Sequence, residues 1–194
     1  AHARFLAEAD TARRLRHEHI VELYEVGDDR GVPYMVMAFA PGVSLDAYTA
    51  PDRLLPVATA LNVAACVADA LAHAHRSGVL HRDIKPANVI VDLDRGSVKV
   101  TDFGVAGLID AARTRSGVML GTPAFMAPEA LLGQRADARG DIYALGVMLF
   151  QLLTGRLPHQ SASLAELMRS IVNQTAPDVR SLRPDLGADV ASIV

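Results

Sequence analysis

The chain is short of lysine, with two, Lys85 and Lys99, against seventeen arginines. It has a single cysteine, Cys66, which excludes an internal disulfide and points to a reducing compartment. Cys66 sits in the apolar run LNVAACVADALAHAH and is expected to be a small buried core residue. Long hydrophobic runs are lacking too: the longest, IYALGVMLFQLL at 142–153, is too short to cross a bilayer and reads as a core helix. The opening residues, AHARFLAEADTARRLRHE, have no apolar segment of the kind a signal peptide needs. Charge of either sign is not in excess: the net charge is −3, which favours neither nucleic acid nor an anionic membrane as partner. There is no internal repeat, no low-complexity stretch and no G-x-G-x-x-G anywhere. What is present is the composition of a folded domain with one sizeable core, 51% hydrophobic and 21% charged over 194 residues.

Apolar spacing predicts an amphipathic helix over 3–16. Strands are predicted over 20–26 and 32–39, joined by the turn GDDRG into a hairpin that Pro41-Gly42 ends. A long helix is predicted from Pro56 to about Ser77, with Gly78 just past its end. Two short strands, NVIVD and SVKVT, follow around the turn DRG. Residues 102–129 read as an extended loop. Helices are predicted over 138–155, closed by Gly155, and over 163–174, where Ser163 and Glu166 have capping-box spacing. His73 and His75 lie two apart on a helix and so do not share a face, which makes structural roles the expectation. His17 and His19 are expected in a turn.

The chemistry concentrates mid-chain. HRDIKPAN, at 81–88, supplies Asp83, a lysine two residues on and Asn88 five residues on. DFG begins fourteen residues later, at Asp102, and Glu129 closes APE a further twenty-seven on. In order and spacing these motifs resemble the protein kinase superfamily, in its bacterial-type serine/threonine branch, over essentially the whole chain. Of only two lysines in the chain, one stands at Lys85, two residues after Asp83, which argues against a chance match. The resemblance implies an α+β, two-lobed kinase fold: a partial small lobe at 1–40 (helix, two strands, hinge) and most of a mainly helical large lobe at 41–194. It implies transfer of the γ-phosphoryl group of ATP, with Mg²⁺, to Ser/Thr hydroxyls of proteins.

Residue by residue, the resemblance makes Asp83 the catalytic base and Lys85 a charge near the γ-phosphate. Asn88 and Asp102 become metal ligands, hard oxygen donors of the type Mg²⁺ prefers. Thr122, in GTP at 121–123, would hydrogen-bond toward Asp83 and Lys85. Met37 would gate the back of the adenine pocket, and Ala38, Phe39 and Ala40 would form the hinge. Glu8 matches the glutamate that pairs with a strand lysine. Asp141 would cap the backbone of the HRD loop, and Glu129 has a structural place in APE. Arg82 would receive a phosphate from Thr114 or Ser116 and so order the loop that carries them.

The lysine partner of Glu8 and the glycine-rich phosphate lid are not in the 194 residues, and neither are the last helices of such a domain. Residues 1–194 alone are therefore expected to be inactive and prone to aggregate, since an isolated hairpin is marginal. Protein substrates bearing Ser or Thr are the implied partners, and the resemblance also allows self-association for autophosphorylation. The expected location is cytoplasmic, with a membrane anchor elsewhere in a full-length protein allowed by bacterial relatives. Two readings compete. A non-catalytic pseudokinase or docking module is opposed by intact Asp83, Lys85, Asn88 and Asp102. A small-molecule phosphotransferase is opposed by the DFG–GTP–APE segment, which builds a polypeptide groove.

Overall fold

The computed structural model describes residues 13–30, 32–103, 123–135 and 137–194. Strands β1 (Leu23–Asp29) and β2 (Val32–Met37) pair antiparallel, from Leu23 opposite Met37 to Asp29 opposite Val32, with an irregularity between Leu23 and Glu25. The predicted GDDRG turn is tighter than expected. Gly27, Asp28 and Asp29 continue the strand, and Arg30 takes the left-handed conformation at φ 54°. The Tyr34 ring occupies the place a side chain at position 27 would need, which is why a glycine stands there. The Tyr34 hydroxyl donates to Glu25 Oε1 at 2.6 Å. That bond pushes the phenol up from its ordinary pKa.

A second sheet has the order β3-β4-β5, all antiparallel: β3 is Val43–Ser44, β4 Val89–Asp92 and β5 Ser97–Val100. β3 was not foreseen; the chain leaving the first hairpin turns straight into a strand edge. Gly42 permits this, with φ +121° and the Val91 carbonyl where a Cβ would lie. The two sheets are linked through residues 19–21. Ile20 bridges Val100 in parallel, the Val21 N–H donates to Val100 O at 2.8 Å, and the Val100 N–H donates to His19 O at 2.8 Å.

Helix α1 (Val57–Arg76) begins after Pro56, and Gly78 follows its end with φ +74°. By length and composition α1 is apolar enough to cross a membrane, contrary to the expectation that no stretch is long enough. In the fold its stripe of Ala60, Val63, Val67, Ala70, Leu71 and Ala74 is buried, and it packs against helix α3. Cys66 lies beside that stripe and is half-buried rather than fully buried, and burial raises its thiol pKa.

The stretch expected as loop to residue 129 ends in regular structure: a 3₁₀ turn at Pro123–Phe125 and a short helix α2 (Pro128–Leu131) with proline in its first turn. Helix α3 (Ala138–Thr154) is capped by Asp137, whose side chain accepts the Arg139 N–H, and closed by Gly155 at φ 71°. It is buried on most sides, with Met148, Leu152 and Leu153 at 0–1% exposure, as the core of a mainly helical half. Helix α4 (Leu164–Asn173) has Ser163 as its cap, but only half the expected capping box forms. Glu166 accepts from the Ser161 hydroxyl at 2.7 Å instead of reaching back to Ser163. A last turn, α5, covers Ala188–Ala191.

Candidate active site

The site is built on the loop between α1 and β4. One carboxylate anchors it. Asp141, in the first turn of α3 and 2% exposed, accepts the His81 N–H on Oδ2 at 2.9 Å and the Arg82 N–H on Oδ1 at 2.7 Å. The backbone-capping role expected of Asp141 is therefore present as geometry. A carboxylate in a helix's first turn is favoured by the helix dipole, so the anchor suits its position. His75, at the end of α1, adds a third contact, with Nε2 2.7 Å from Asp141 Oδ2. His73 turns elsewhere, its ring 4.9 Å from that of His17. His17 itself lies 3.3 Å from Asp69, and His19 Nδ1 lies 3.0 Å from Val98 O.

The two amides hold Arg82 in the left-handed conformation, φ 67°, which costs about 1 kcal/mol or more for a residue with a Cβ. That kink turns the chain so that Asp83 leaves the core while His81 stays in it. His81 is fully buried. Its Nε2 lies 2.8 Å from Thr101 O and its Nδ1 3.3 Å from the Asp83 N–H. An Nε2–H tautomer satisfies both contacts, donating to the carbonyl and accepting the amide. Its ring meets Phe103 edge-on at 4.7 Å. His81 thus fastens the HRD loop to the DFG segment, a role not assigned from the sequence.

Burial pushes the His81 imidazole pKa down, and Asp141 and Thr101 only partly offset this. Burial lowers His159 as well. In acid the unfolded chain takes up protons that the folded chain resists, so stability should fall as pH drops from about 6.5, by up to about 1.4 kcal/mol per pH unit for His81. Urea midpoints at pH 7.5, 6.5 and 5.5 test this; a flat or rising stability toward acid would contradict the neutral, buried His81.

Asp83 is met by two donors on one oxygen. Lys85 Nζ lies 2.6 Å from Oδ2, and Asn88 Nδ2 lies 3.0 Å from the same atom and 2.8 Å from the Asp83 carbonyl. Among the described residues Oδ1 of Asp83 accepts nothing. Asn88 is buried, 7% exposed, and its amide nitrogen is used twice on Asp83, while its oxygen accepts nothing among the described residues. β4 and β5 carry the chain from Asn88 to Asp102, and the Thr101 N–H returns to Asn88 O at 2.9 Å. Asp102, like Arg82, is left-handed without being glycine, with φ 64°. Asn88 and Asp102 therefore lie at the two ends of one short hairpin. Together they offer a neutral and an anionic oxygen donor, a set that fits a hard divalent cation.

The Thr101 hydroxyl joins this hairpin to the first sheet, 3.6 Å from Met37 Sδ and 3.4 Å from Asp102 Oδ1. Met37 is the last residue of β2, two residues short of the predicted strand end. Ala38, Phe39 and Ala40 lie beyond it, and Phe39 is 90% exposed rather than packed as strand core. The Ala38 N–H donates to Glu22 O at 2.8 Å. Ala38–Pro41 border a cavity of about 180 Å³ together with Ile20, Val21, Glu22 and Lys99. Ile20 and Val21 also border a gap of about 20 Å³ that reaches Met37, Asp102 and Phe103. Arg82 is exposed at the loop's surface, and Glu129 is half-buried in α2. Of the other expected site residues, Glu8, Thr114, Ser116 and Thr122 lie outside the described residues.

Known proteins share both sequence and fold with this chain. The model of the protein kinase domain matches residues 1–187. A probable serine/threonine-protein kinase of Bifidobacterium longum, pknA2, is 38% identical over 98% of this chain and 25% of its own length. The serine/threonine-protein kinase PrkC of Bacillus subtilis is 35% identical over 98% of this chain and 30% of its own. The crystal structure of the kinase domain of Mycobacterium tuberculosis PknI superposes with a TM-score of 0.74 at 30% identity, covering 95% of this chain and 65% of that one. The chain belongs to the protein kinase family, with the α+β fold of that family. It spans about a quarter to a third of the length of these curated relatives.

Proposed function

We propose that this chain forms the phosphoryl-transfer centre of an ATP-dependent protein serine/threonine kinase. The observation that carries the reading is the state of Asp83, whose Oδ2 is held by Lys85 and Asn88 while Oδ1 takes no partner among the described residues. A base held through one oxygen and open at the other is suited to receive a hydroxyl proton. As the substrate Ser or Thr oxygen bonds to the γ-phosphorus, its proton passes to Asp83, and the bond to the ADP oxygen breaks. Lys85 stands beside Asp83 as a cation for the transferring group's charge. Asn88 Oδ1 and the Asp102 carboxylate would hold Mg²⁺, which when bound neutralises charge on the nucleotide's phosphate oxygens.

The remaining assignments rest on resemblance together with position. Met37 gates the back of the adenine site and Ala38–Ala40 face adenine with their backbone. Thr122 steadies Asp83 and Lys85, and Glu8 pairs with a lysine that orients the phosphates. Glu129 holds the end of the loop that follows DFG. Arg82 pairs with a phosphate on Thr114 or Ser116, acquired by autophosphorylation between two copies. The protein substrates bear Ser or Thr, and the cytoplasm is the proposed site of action.

A Mg²⁺ titration of the intact protein, with ATP and a Ser/Thr peptide, tests this. Transfer should be ATP-dependent and abolished by chelation. Asn88→Ala should raise the half-saturating Mg²⁺ about tenfold or more, since it removes one of two protein ligands. Transfer that ignores chelation, or an unshifted Mg²⁺ dependence in Asn88→Ala, would overturn the assignment.

A further inference from the structure

We infer that the cavity bordered by Ala38–Pro41 and Lys99 is a binding site for a small monocarboxylate, its anion held by Lys99 and its apolar body against Leu15, Ile20 and Pro41. The inference stands apart from the kinase reading and concerns the lysine that reading leaves without a role. Strand β5 alternates, so Val98 and Val100 enter the core at 4% and 0% exposure while Ser97 and Lys99 take the opposite face. There Lys99 is half-buried, lies across from Ile90 in β4, and borders the cavity of about 180 Å³. Among the described residues it forms no ion pair and no side-chain hydrogen bond.

The other charged groups on the rim are already matched. Arg16 Nη1 donates to the carbonyls of Arg13 and Leu15 at 2.8 and 3.2 Å, and its Nη2 lies 3.1 Å from Glu22 Oε1. His17 accepts the His19 N–H on Nδ1 at 3.2 Å, and its Nε2 lies 3.3 Å from Asp69. Lys99 therefore leaves one positive charge over, in a recess where water screens it poorly, and an anion is the group that satisfies it. Size and lining decide which anion. The recess is smaller than the roughly 300 Å³ at which pockets for drug-sized ligands begin, and too small for a nucleotide. Leu15 and Ile20 are 2% and 5% exposed, and Val21 and Pro41 are half-buried, so much of the wall is apolar. Inorganic phosphate would set a dianion against one cation and leave its other oxygens facing hydrocarbon. A monocarboxylate with a compact apolar body matches both the single ammonium and the wall.

Benzoate is the probe, titrated into the intact protein with and without ADP and followed by saturation-transfer NMR of the ligand. Binding should saturate with a Kd of about 1 mM, the scale for so small a ligand, and ADP should not displace it. Lys99→Gln should weaken it about tenfold or more, the loss of one charge-assisted contact. Lys99→Arg, which keeps a cation, should weaken it by no more than about threefold. Arg95→Gln, which removes an exposed cation from the turn before β5, should leave it unchanged. Benzyl alcohol, which lacks the charge, and inorganic phosphate, which lacks the apolar body, should each bind about tenfold more weakly than benzoate or worse. The thermal midpoint of Lys99→Gln should stay within about two degrees of the unmodified protein, because no protein contact is lost, and this separates loss of the site from loss of the fold. No saturable benzoate binding, displacement of benzoate by ADP, undiminished binding in Lys99→Gln, or phosphate binding as tightly as benzoate would each overturn the inference.

Discussion

Asp83→Asn should abolish measurable phosphoryl transfer, lowering kcat by about 10²–10⁴-fold, the usual contribution of a positioned general base. The change is nearly isosteric. The Asn oxygen can still accept from Lys85 Nζ or Asn88 Nδ2, which now meet Asp83 Oδ2 at 2.6 and 3.0 Å. The loop's anchorage does not pass through the Asp83 side chain at all; it passes through the His81 and Arg82 amides. Nucleotide binding and the thermal midpoint should therefore stay close to those of the unmodified protein. Steady-state kinetics with ATP and a Ser/Thr peptide, beside a nucleotide-binding titration, gives both readouts. An Asn variant that transfers at more than about a tenth of the normal rate would remove Asp83 from the base role.

Asp141→Ala should have the largest effect on stability. It strips the acceptor from two amides, those of His81 and Arg82, and from His75 Nε2. An unsatisfied buried polar group costs about 1–3 kcal/mol, so the total is a large share of the 5–15 kcal/mol that holds a typical domain. Asp141→Asn should recover only part of this, because one of its two atoms is a donor facing another donor. Urea unfolding should show the midpoint falling in both variants, further in Ala, and transfer should be lost in both. A midpoint within experimental error of the unmodified protein would show that the loop is held by something other than Asp141.

The two effects separate aim from architecture, and they explain which parts of the site were readable in sequence. That Asp83, Lys85 and Asn88 meet was legible because the three lie within one short loop, with Asp102 at the far end of the hairpin that follows. The long helices were legible for a different reason. Proline before α1, Gly78 after it, Asp137 before α3 and Gly155 after it are local signals that need no tertiary knowledge.

Local signals also set the limit. Arg82 and Asp102 are both left-handed, and neither is a glycine, so nothing in the sequence marks the kinks. For Arg82 the cause is a remote hydrogen bond, to a carboxylate 59 residues away. His75 is expected to be structural, and its partner appears only when α1 packs on α3 and brings it to Asp141. β3, two residues long, is too short to show any period and exists because Gly42 lets the chain approach Val91. α2 was hidden in a stretch read as loop, since four residues opened by a proline give no helical periodicity. The hairpin turn was placed too early because Gly27 signals a turn, whereas its actual task is to make room for Tyr34.

The most direct test of the central claim is the identity of the phosphorylated atom. The intact protein, incubated with isotopically labelled ATP, Mg²⁺ and a mixed set of Ser, Thr and Tyr peptides, can be followed by mass spectrometry of the products. The account predicts label on Ser and Thr hydroxyls, equal in amount to the ADP formed, and none in the Asp83→Asn protein. Label on Tyr alone, ADP formation with no labelled peptide, or equal labelling by Asp83→Asn would contradict it.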